Sequence, residues 1–105
     1  MRIHIFLEVE DFIASLEKQT IAKVLRTVDL LEKFSHNLGM PHSKKVTKHL
    51  FELRIRGQQE VRIFYCFYHN SLYLLHGFIK KSSKIPPKEL FRAQKKYEAL
   101  TEYNL

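Results

Sequence analysis

Two arginines on neighbouring strand segments are the residues best placed to do chemistry. Leu50–Arg56 alternates, with Phe51, Leu53 and Ile55 on one side and Glu52, Arg54 and Arg56 on the other. Val61–Tyr68 follows the turn residues Gly57-Gln58-Gln59. A turn over those residues puts Arg56 opposite Glu60 and Arg54 opposite Arg62. Like charges directly opposed across a sheet pair are destabilising. A face that meets phosphates gains from them, because each guanidinium offers a planar fork to a phosphate. The structural alternative is that Glu52 and Glu60 bridge the arginines into a solvated ladder. A register slip of one residue would put the two arginines on opposite faces.

Lys80 and Lys81, with Lys84, form a second cationic cluster just past a strand end, where loops often carry site residues. Crowding by other cations disfavours the charged form of a lysine, which brings proton transfer within reach. The alternative is a solubilising loop. Lys44, Lys45, Lys48 and Arg56 extend the basic surface and, with Lys84, are the candidate RNA-binding residues. His4, His36, His42, His49, His69 and His76 show no HxxxH or HExxH spacing and have only Cys66 to pair with, which argues against a metal site. His76 lies in an apolar strand before Gly77-Phe78, a position that suits a hydrogen-bonded core histidine or a reserve acid–base group. Cys66, between Tyr65 and Phe67, reads as a buried structural thiol. Tyr65, Phe67, Tyr68 and Tyr73 are either sheet packing or base-stacking surfaces. No GxGxxG, P-loop or GxSxG is present, so nucleotide-cofactor and serine-hydrolase chemistry have no footing. No cofactor is expected.

These residues need a scaffold. Arg2–Glu8 reads as a first strand and Asp11–Leu16 as a short helix. A longer helix from about Thr20 to His36 carries the apolar stripe Ile21, Val24, Leu25, Val28, Leu31 and Phe34, ending at Asn37-Leu38-Gly39. His42–Lys48 reads as a loop. Strands over Leu50–Arg56, Val61–Tyr68 and Ser71–Ile79 follow, the last two joined by the turn His69-Asn70. A final helix starts near Pro86-Pro87, with Leu90, Ala93, Tyr97 and Leu100 on its apolar side. The order β-α-α-β-β-β-α makes an α+β domain with an antiparallel sheet of about four strands and its helices on one side.

Composition agrees with one domain spanning 1–105. A chain of 105 residues buries roughly two-thirds of its unfolded surface, enough for one core. One cysteine excludes an internal disulfide framework and fits a reducing, cytoplasmic setting. Apolar runs are too short to span a bilayer, and no signal-peptide pattern opens the chain. The net charge of +7 is unevenly placed. Residues 1–40 carry five Lys/Arg against six Asp/Glu, whereas residues 80–96 carry seven Lys/Arg against Glu89. Residues 41–62 carry six against two, and residues 63–79 carry no charge. Two basic blocks flank this uncharged stretch; if it is a pair of strands the blocks can meet in space, a field that attracts polyanions, and the alternative is a solvated face on a basic protein.

Leu50-Phe51-Glu52-Leu53-Arg54, Val61-Arg62-Ile63-Phe64-Tyr65, Leu74-Leu75-His76-Gly77-Phe78-Ile79-Lys80-Lys81, and then Pro86 with a helix carrying Ala93, together resemble the RelE/HigB toxin superfamily, most closely its phage-derived HigB-like branch. The resemblance covers nearly the whole chain and implies a RelE-like fold. It implies the toxin of a type II toxin–antitoxin pair: a metal-independent, ribosome-dependent mRNA endonuclease (an mRNA interferase) that inhibits translation. In that chemistry the 2′-hydroxyl attacks the adjacent phosphate. The resemblance puts Arg54 and Arg62 on the face that meets the phosphate, and Lys80 or Lys81 where the family has a basic group after its last strand. Arg54 and Arg62 are then charge stabilisers, Lys80 or Lys81 the proton shuttle, and His76 the reserve. It also implies a small antitoxin as partner, HigA-like with a helix-turn-helix, together with the ribosome and mRNA, and no membrane. Two departures stand out. Glu52 replaces a lysine found in many RelE members, and Ile85-Pro86-Pro87 stands where many have a tyrosine. Two other readings remain: a non-nucleolytic poison of the same fold that binds DNA gyrase, and a plain RNA-binding module with a steep salt dependence.

Overall fold

The computed structural model describes residues 1–103. The chain runs through β1 (Arg2–Ile5), α1 (Leu7–Ala14), α2 (Lys18–Phe34), a 3-10 turn at Ser35–Asn37, β2 (Ser43–Lys45), β3 (Phe51–Ile55), β4 (Val61–Tyr68), β5 (Ser71–Ile79) and α3 (Pro87–Tyr103). The strands form one sheet in the order β1-β5-β4-β3-β2.

The α+β class, the two N-terminal helices and the C-terminal helix agree with the reading of the sequence, and the fold is compatible with a RelE-like one. The sheet differs in two respects. It has five strands, because Ser43–Lys45, expected in a loop, pairs antiparallel with β3. Ser43 is buried there and its hydroxyl bonds the Tyr65 phenol, an anchor invisible in a run that reads as polar and basic. The sheet is also mixed, since β1 pairs parallel with β5. The two α-helices between β1 and the remaining strands carry the chain far enough for a parallel return.

The helices do not share one side. Val9, Ile13, Leu16, Val24 and Leu31 of the N-terminal segment pack with Leu53, Ile55, Val61, Ile63, Tyr65, Leu72 and Leu74. Leu50, Phe64, Cys66, Leu75 and Phe78 form a second cluster with Ala93 of α3. So α1 and α2 cover one face and α3 covers the other. Alternation along β4 explains this: Val61, Ile63 and Tyr65 point one way, Phe64 and Cys66 the other, and all five are buried. From Ile63 to Cys66 this strand is uncharged and buried on both faces, and so needs a layer on each.

Two helix boundaries and one helix stripe shift. Helix α1 begins at Leu7 rather than Asp11, because Val9 and Ile13, four residues apart, supply its buried side. The buried stripe of α2 is Thr20, Val24, Thr27 and Leu31, while Leu25 and Phe34 of the expected stripe are 53% and 44% exposed. Burial of Thr27 is tolerated because its hydroxyl donates to the Lys23 carbonyl at 2.8 Å. Helix α2 gives way at Ser35, whose φ of 49° is left-handed, one turn before the expected stop. The turn between β4 and β5 falls where expected, with His69 and Asn70 at φ of 48° and 58°.

Candidate functional site

Register decides whether the arginines meet. Strands β3 and β4 pair Leu53 with Ile63, Arg54 with Arg62 and Ile55 with Val61, so the two arginines stand directly opposite on the face away from α1 and α2. Lys44 of β2 pairs with Glu52 and joins the same face. Each arginine has a carboxylate: Arg54 Nε lies 3.5 Å from Glu52 Oε1, and Arg62 Nη1 lies 3.3 Å from Glu60 Oε2. The bridged ladder is therefore present, but it is buried instead of solvated. The side chains of Arg62 and Glu52 are 3% and 4% exposed and that of Arg54 is 12%.

Burial makes this group costly. Glu52 Oε2, Arg54 Nε and Arg62 Nε are buried without a hydrogen-bond partner among the described residues. Arg54 Nη1 turns instead to Met40 Sδ at 3.3 Å, a weak acceptor. Arg62 Nη1 also donates to the Val61 carbonyl at 3.0 Å. The two ion pairs differ in freedom. Glu60 is 39% exposed and can swing to water, which would release Arg62. Glu52 is locked in.

Lys80 joins this end of the sheet, its backbone N–H donating to the Glu60 carbonyl at 2.7 Å. Lys81 and Lys84 follow on the exposed loop over residues 80–86. The remaining candidates scatter. Lys45 faces the opposite side of the sheet from Lys44, its ammonium 5.9 Å from the centre of the Phe51 ring. Lys48 is exposed in the β2–β3 connection. Arg56 lies past β3 on the α2 side, where its carbonyl accepts from Lys23 Nζ at 3.4 Å.

His76 is brought to the arginine face by a bulge. Phe64 pairs with His76 and Tyr65 with Leu74, so Leu75 has no cross-strand partner. The extra residue turns both Leu75 and His76 toward α3. There His76 Nε2 meets Glu89 Oε1 at 2.9 Å, and the same oxygen accepts from Arg92 Nη1 at 3.3 Å. Both members of the pair are about seven-eighths buried, at 14% and 13% exposure. A carboxylate that orients an imidazole suits it for proton transfer. A cleft of about 420 Å³ opens beside the pair, lined by Glu8, His76, Phe91, Arg92, Lys95 and Lys96. Lys96 Nζ bonds Glu8 Oε2 at 2.8 Å, ties α3 to α1, and holds the Glu8 carboxyl below the usual carboxylate range.

Glu89 and Arg92 were not among the residues expected at the site. Glu89 reads in the sequence as an acidic residue complementing the helix dipole. The available signal was Leu74-Leu75, a break in the alternation just before His76 that marks a bulge. Two aromatic candidates for base stacking, Tyr65 and Phe67, pack instead against Phe51 and each other. Burial pushes the Tyr65 phenol up, against the opposing effect of the Ser43 hydrogen bond. Burial also pushes the Cys66 thiol up to about 12, which removes it as a nucleophile near neutral pH.

Among the described residues no group of three His, Cys, Asp or Glu is placed to hold a metal ion, and no helix is long and apolar enough to cross a membrane. A family model described as phage-derived protein Gp49-like (DUF891) matches residues 11–98. No curated protein matches the chain.

Proposed function

The chain belongs to the phage-derived Gp49-like family, which is associated with RelE-like toxins, and from that premise we propose that it is a toxin-antitoxin toxin that cuts mRNA on the ribosome. The observation that carries this reading is the buried, directly opposed pair Arg54 and Arg62 with unpartnered guanidinium nitrogens. Such a pair costs stability and is what a phosphate-binding face requires.

The chemistry follows from the groups present. The RNA 2′-hydroxyl gives its proton to a base and its oxygen bonds the adjacent phosphorus. The bond from phosphorus to the 5′-oxygen breaks, and that oxygen takes a proton. The products are a 2′,3′-cyclic phosphate and a free 5′-hydroxyl. Arg54, the more accessible guanidinium, contacts the phosphate, while Arg62 adds its charge from beneath once Glu60 turns away. Lys44 and Lys80 stand beside them. Lys80 or Lys81 is the proton shuttle, with the Glu89-oriented His76 the alternative on geometry. Glu52, where many RelE members carry a lysine, ion-pairs with Arg54 and holds its guanidinium in place. A small antitoxin that covers the cationic surface is the expected partner, and the cytoplasm the expected setting.

The test is message cleavage in a purified translation system, with and without ribosomes, with the new ends mapped. New 5′-hydroxyl ends only on translated message, falling about 10²–10³-fold in Arg62→Ala, are expected. Cleavage of naked RNA would remove the ribosome from the reading. Intact message with folded protein would overturn it in favour of a non-nucleolytic poison that binds gyrase.

A further inference from the structure

A cleft of about 620 Å³ opens between α2 and the edge of β3. Strand β2 pairs with β3 only as far as Leu53, so beyond that residue the edge is left to α2 and the Pro41-His42 segment. Helix α2 presents Lys23, Arg26, Thr27 and Leu30 to it, a stripe at three- and four-residue steps. Leu30, Pro41 and Ile55 supply apolar lining, and Lys23, Arg26, Arg54 and Arg56 surround them. Asp29 is the sole carboxylate among the lining residues.

The cations here are not explained by the fold. Among the described residues, Lys23, Arg26 and Arg56 enter no ion pair of the kind that holds Arg54 and Arg62. The Lys23 ammonium is instead held at the mouth by the Arg56 carbonyl. It sits where a Cβ at Gly57 would come within 2.6 Å, so the glycine leaves room for it. The cleft also has the size of a small-ligand site and the usual mix of apolar lining with a few polar groups.

We propose that this cleft is a second RNA subsite, holding a nucleotide that flanks the cleaved phosphate. The base lies on Leu30, Pro41 and Ile55, and its phosphate lies among Lys23, Arg26 and Arg56. The identity of the polyanion rests on the ribonuclease reading above. Continuity favours RNA over an acidic peptide: Arg54 lines this cleft and is also the accessible member of the arginine pair. A strand crossing the sheet face at Arg54 reaches the cleft without leaving cationic surface.

The experiment is NMR shift mapping and salt-dependent affinity with a 2′-O-methyl hexaribonucleotide, which lacks the attacking hydroxyl and so reports binding without cleavage. Saturable shifts at Lys23, Arg26, Thr27 and Ile55 are expected. The variant Lys23→Gln/Arg26→Gln should bind about 10- to 30-fold more weakly at 0.1 M salt, with a log–log salt slope shallower by about 1.4. Lys33→Gln, farther along the same helix, should match the parent protein. Shifts confined to Arg62, His76 and their neighbours would overturn the subsite and leave the ribonuclease reading standing. Absence of shifts at millimolar RNA would also overturn it, as would shifts in this cleft produced by a poly-glutamate peptide and not by RNA. Shifts and salt slope as expected, in a protein that leaves translated message intact, would uphold the subsite and fail the ribonuclease reading alone.

Discussion

The two faces of the sheet are built on different terms. Under α1 and α2 the face is a continuous apolar layer, from Ile55 and Val61 at one end through Ile63 and Tyr65 to Leu72 and Leu74. Under α3 the apolar patch is smaller, and beside it the face carries Glu52, Arg54 and Arg62 below the surface. Apolar burial contributes roughly 25 cal/mol per Å², whereas each buried ion needs its desolvation offset. The first face therefore accounts for itself as a core. The second holds charges that a core of the same volume would not choose, and three of their atoms lack partners. Apolar burial and buried charge are separated by the pleat, one residue apart along β3 and β4.

Substitutions at adjacent positions of β3 and β4 test that separation most severely. Arg54→Leu leaves Glu52, 4% exposed, without its cation, and should cost about 3–5 kcal/mol. Leu53→Ala, one residue away on the other face, opens a cavity in the main core and should cost about 2–5 kcal/mol. Arg62→Leu should cost less than about 1 kcal/mol or stabilise the protein, because its partner Glu60 can reach water. Urea unfolding of the three variants gives these numbers directly. Equal large losses at Arg54 and Arg62 would mean that the ladder is a structural unit and would break the comparison.

The close approach of α1 to its face gives a smaller effect. A Cβ on Gly77 would lie 2.6 and 2.8 Å from ring carbons of Phe12. Gly77 pairs with Ile63 and so belongs to the apolar face, although its neighbours His76 and Phe78 belong to the other. Gly77→Ala should cost about 1–3 kcal/mol by overpacking, measured by thermal unfolding, and Phe12→Ala should relieve most of the clash.

The limits of the sequence reading follow the same division. The arginine register was legible because strand alternation and a short turn fix it locally. The fold class was legible from periodicity. What escaped depends on partners distant in sequence. Strand β2 exists through the Ser43–Tyr65 contact and its pairing to β3, and its three residues have no pattern of their own. The place of α3 on the second face follows from β4 being apolar on both sides beyond Arg62, a feature that a run of buried residues shows only once the neighbouring layers are known. The Glu89 partner of His76 needs the bulge and the docking of α3 together. Burial of the arginines was not legible, because charge in a sequence says nothing about depth.

Cys66 probes the small apolar patch of the second face through pH. Its thiol is fully buried and its pKa is raised from 9.0 to about 12, by desolvation of the thiolate. The folded state therefore binds its proton more tightly than the unfolded state does. The resulting stability is complete below about pH 9 and is lost as pH rises from there toward about 12. Unfolding midpoints at pH 8 and pH 10.5 should fall more steeply in the parent protein than in Cys66→Ala. Iodoacetamide at pH 8 should label the thiol only after denaturation. Rapid labelling of the native protein would show that α3 lifts from this face.

The smallest effect separates the faces at the sheet edge, where neighbouring lysines of β2 point opposite ways. Lys44 pairs with Glu52 and shares the arginine face, whereas Lys45 pairs with Phe51 and lies over its ring. In sequence the two are indistinguishable, and both were expected to bind RNA. If the chemistry belongs to one face, Lys44→Gln should make the salt slope of RNA binding shallower by about 0.7 and slow cleavage a few-fold, with stability unchanged. Lys45→Gln should leave binding and cleavage as they are and cost about 0.5 kcal/mol through the lost cation–π contact. Equal losses of binding from both would mean that RNA is held by the diffuse field of the +7 chain and not by a defined face. The pair isolates facing from charge, because the substitution, the strand and the exposure to solvent are shared, and only the side of the sheet differs.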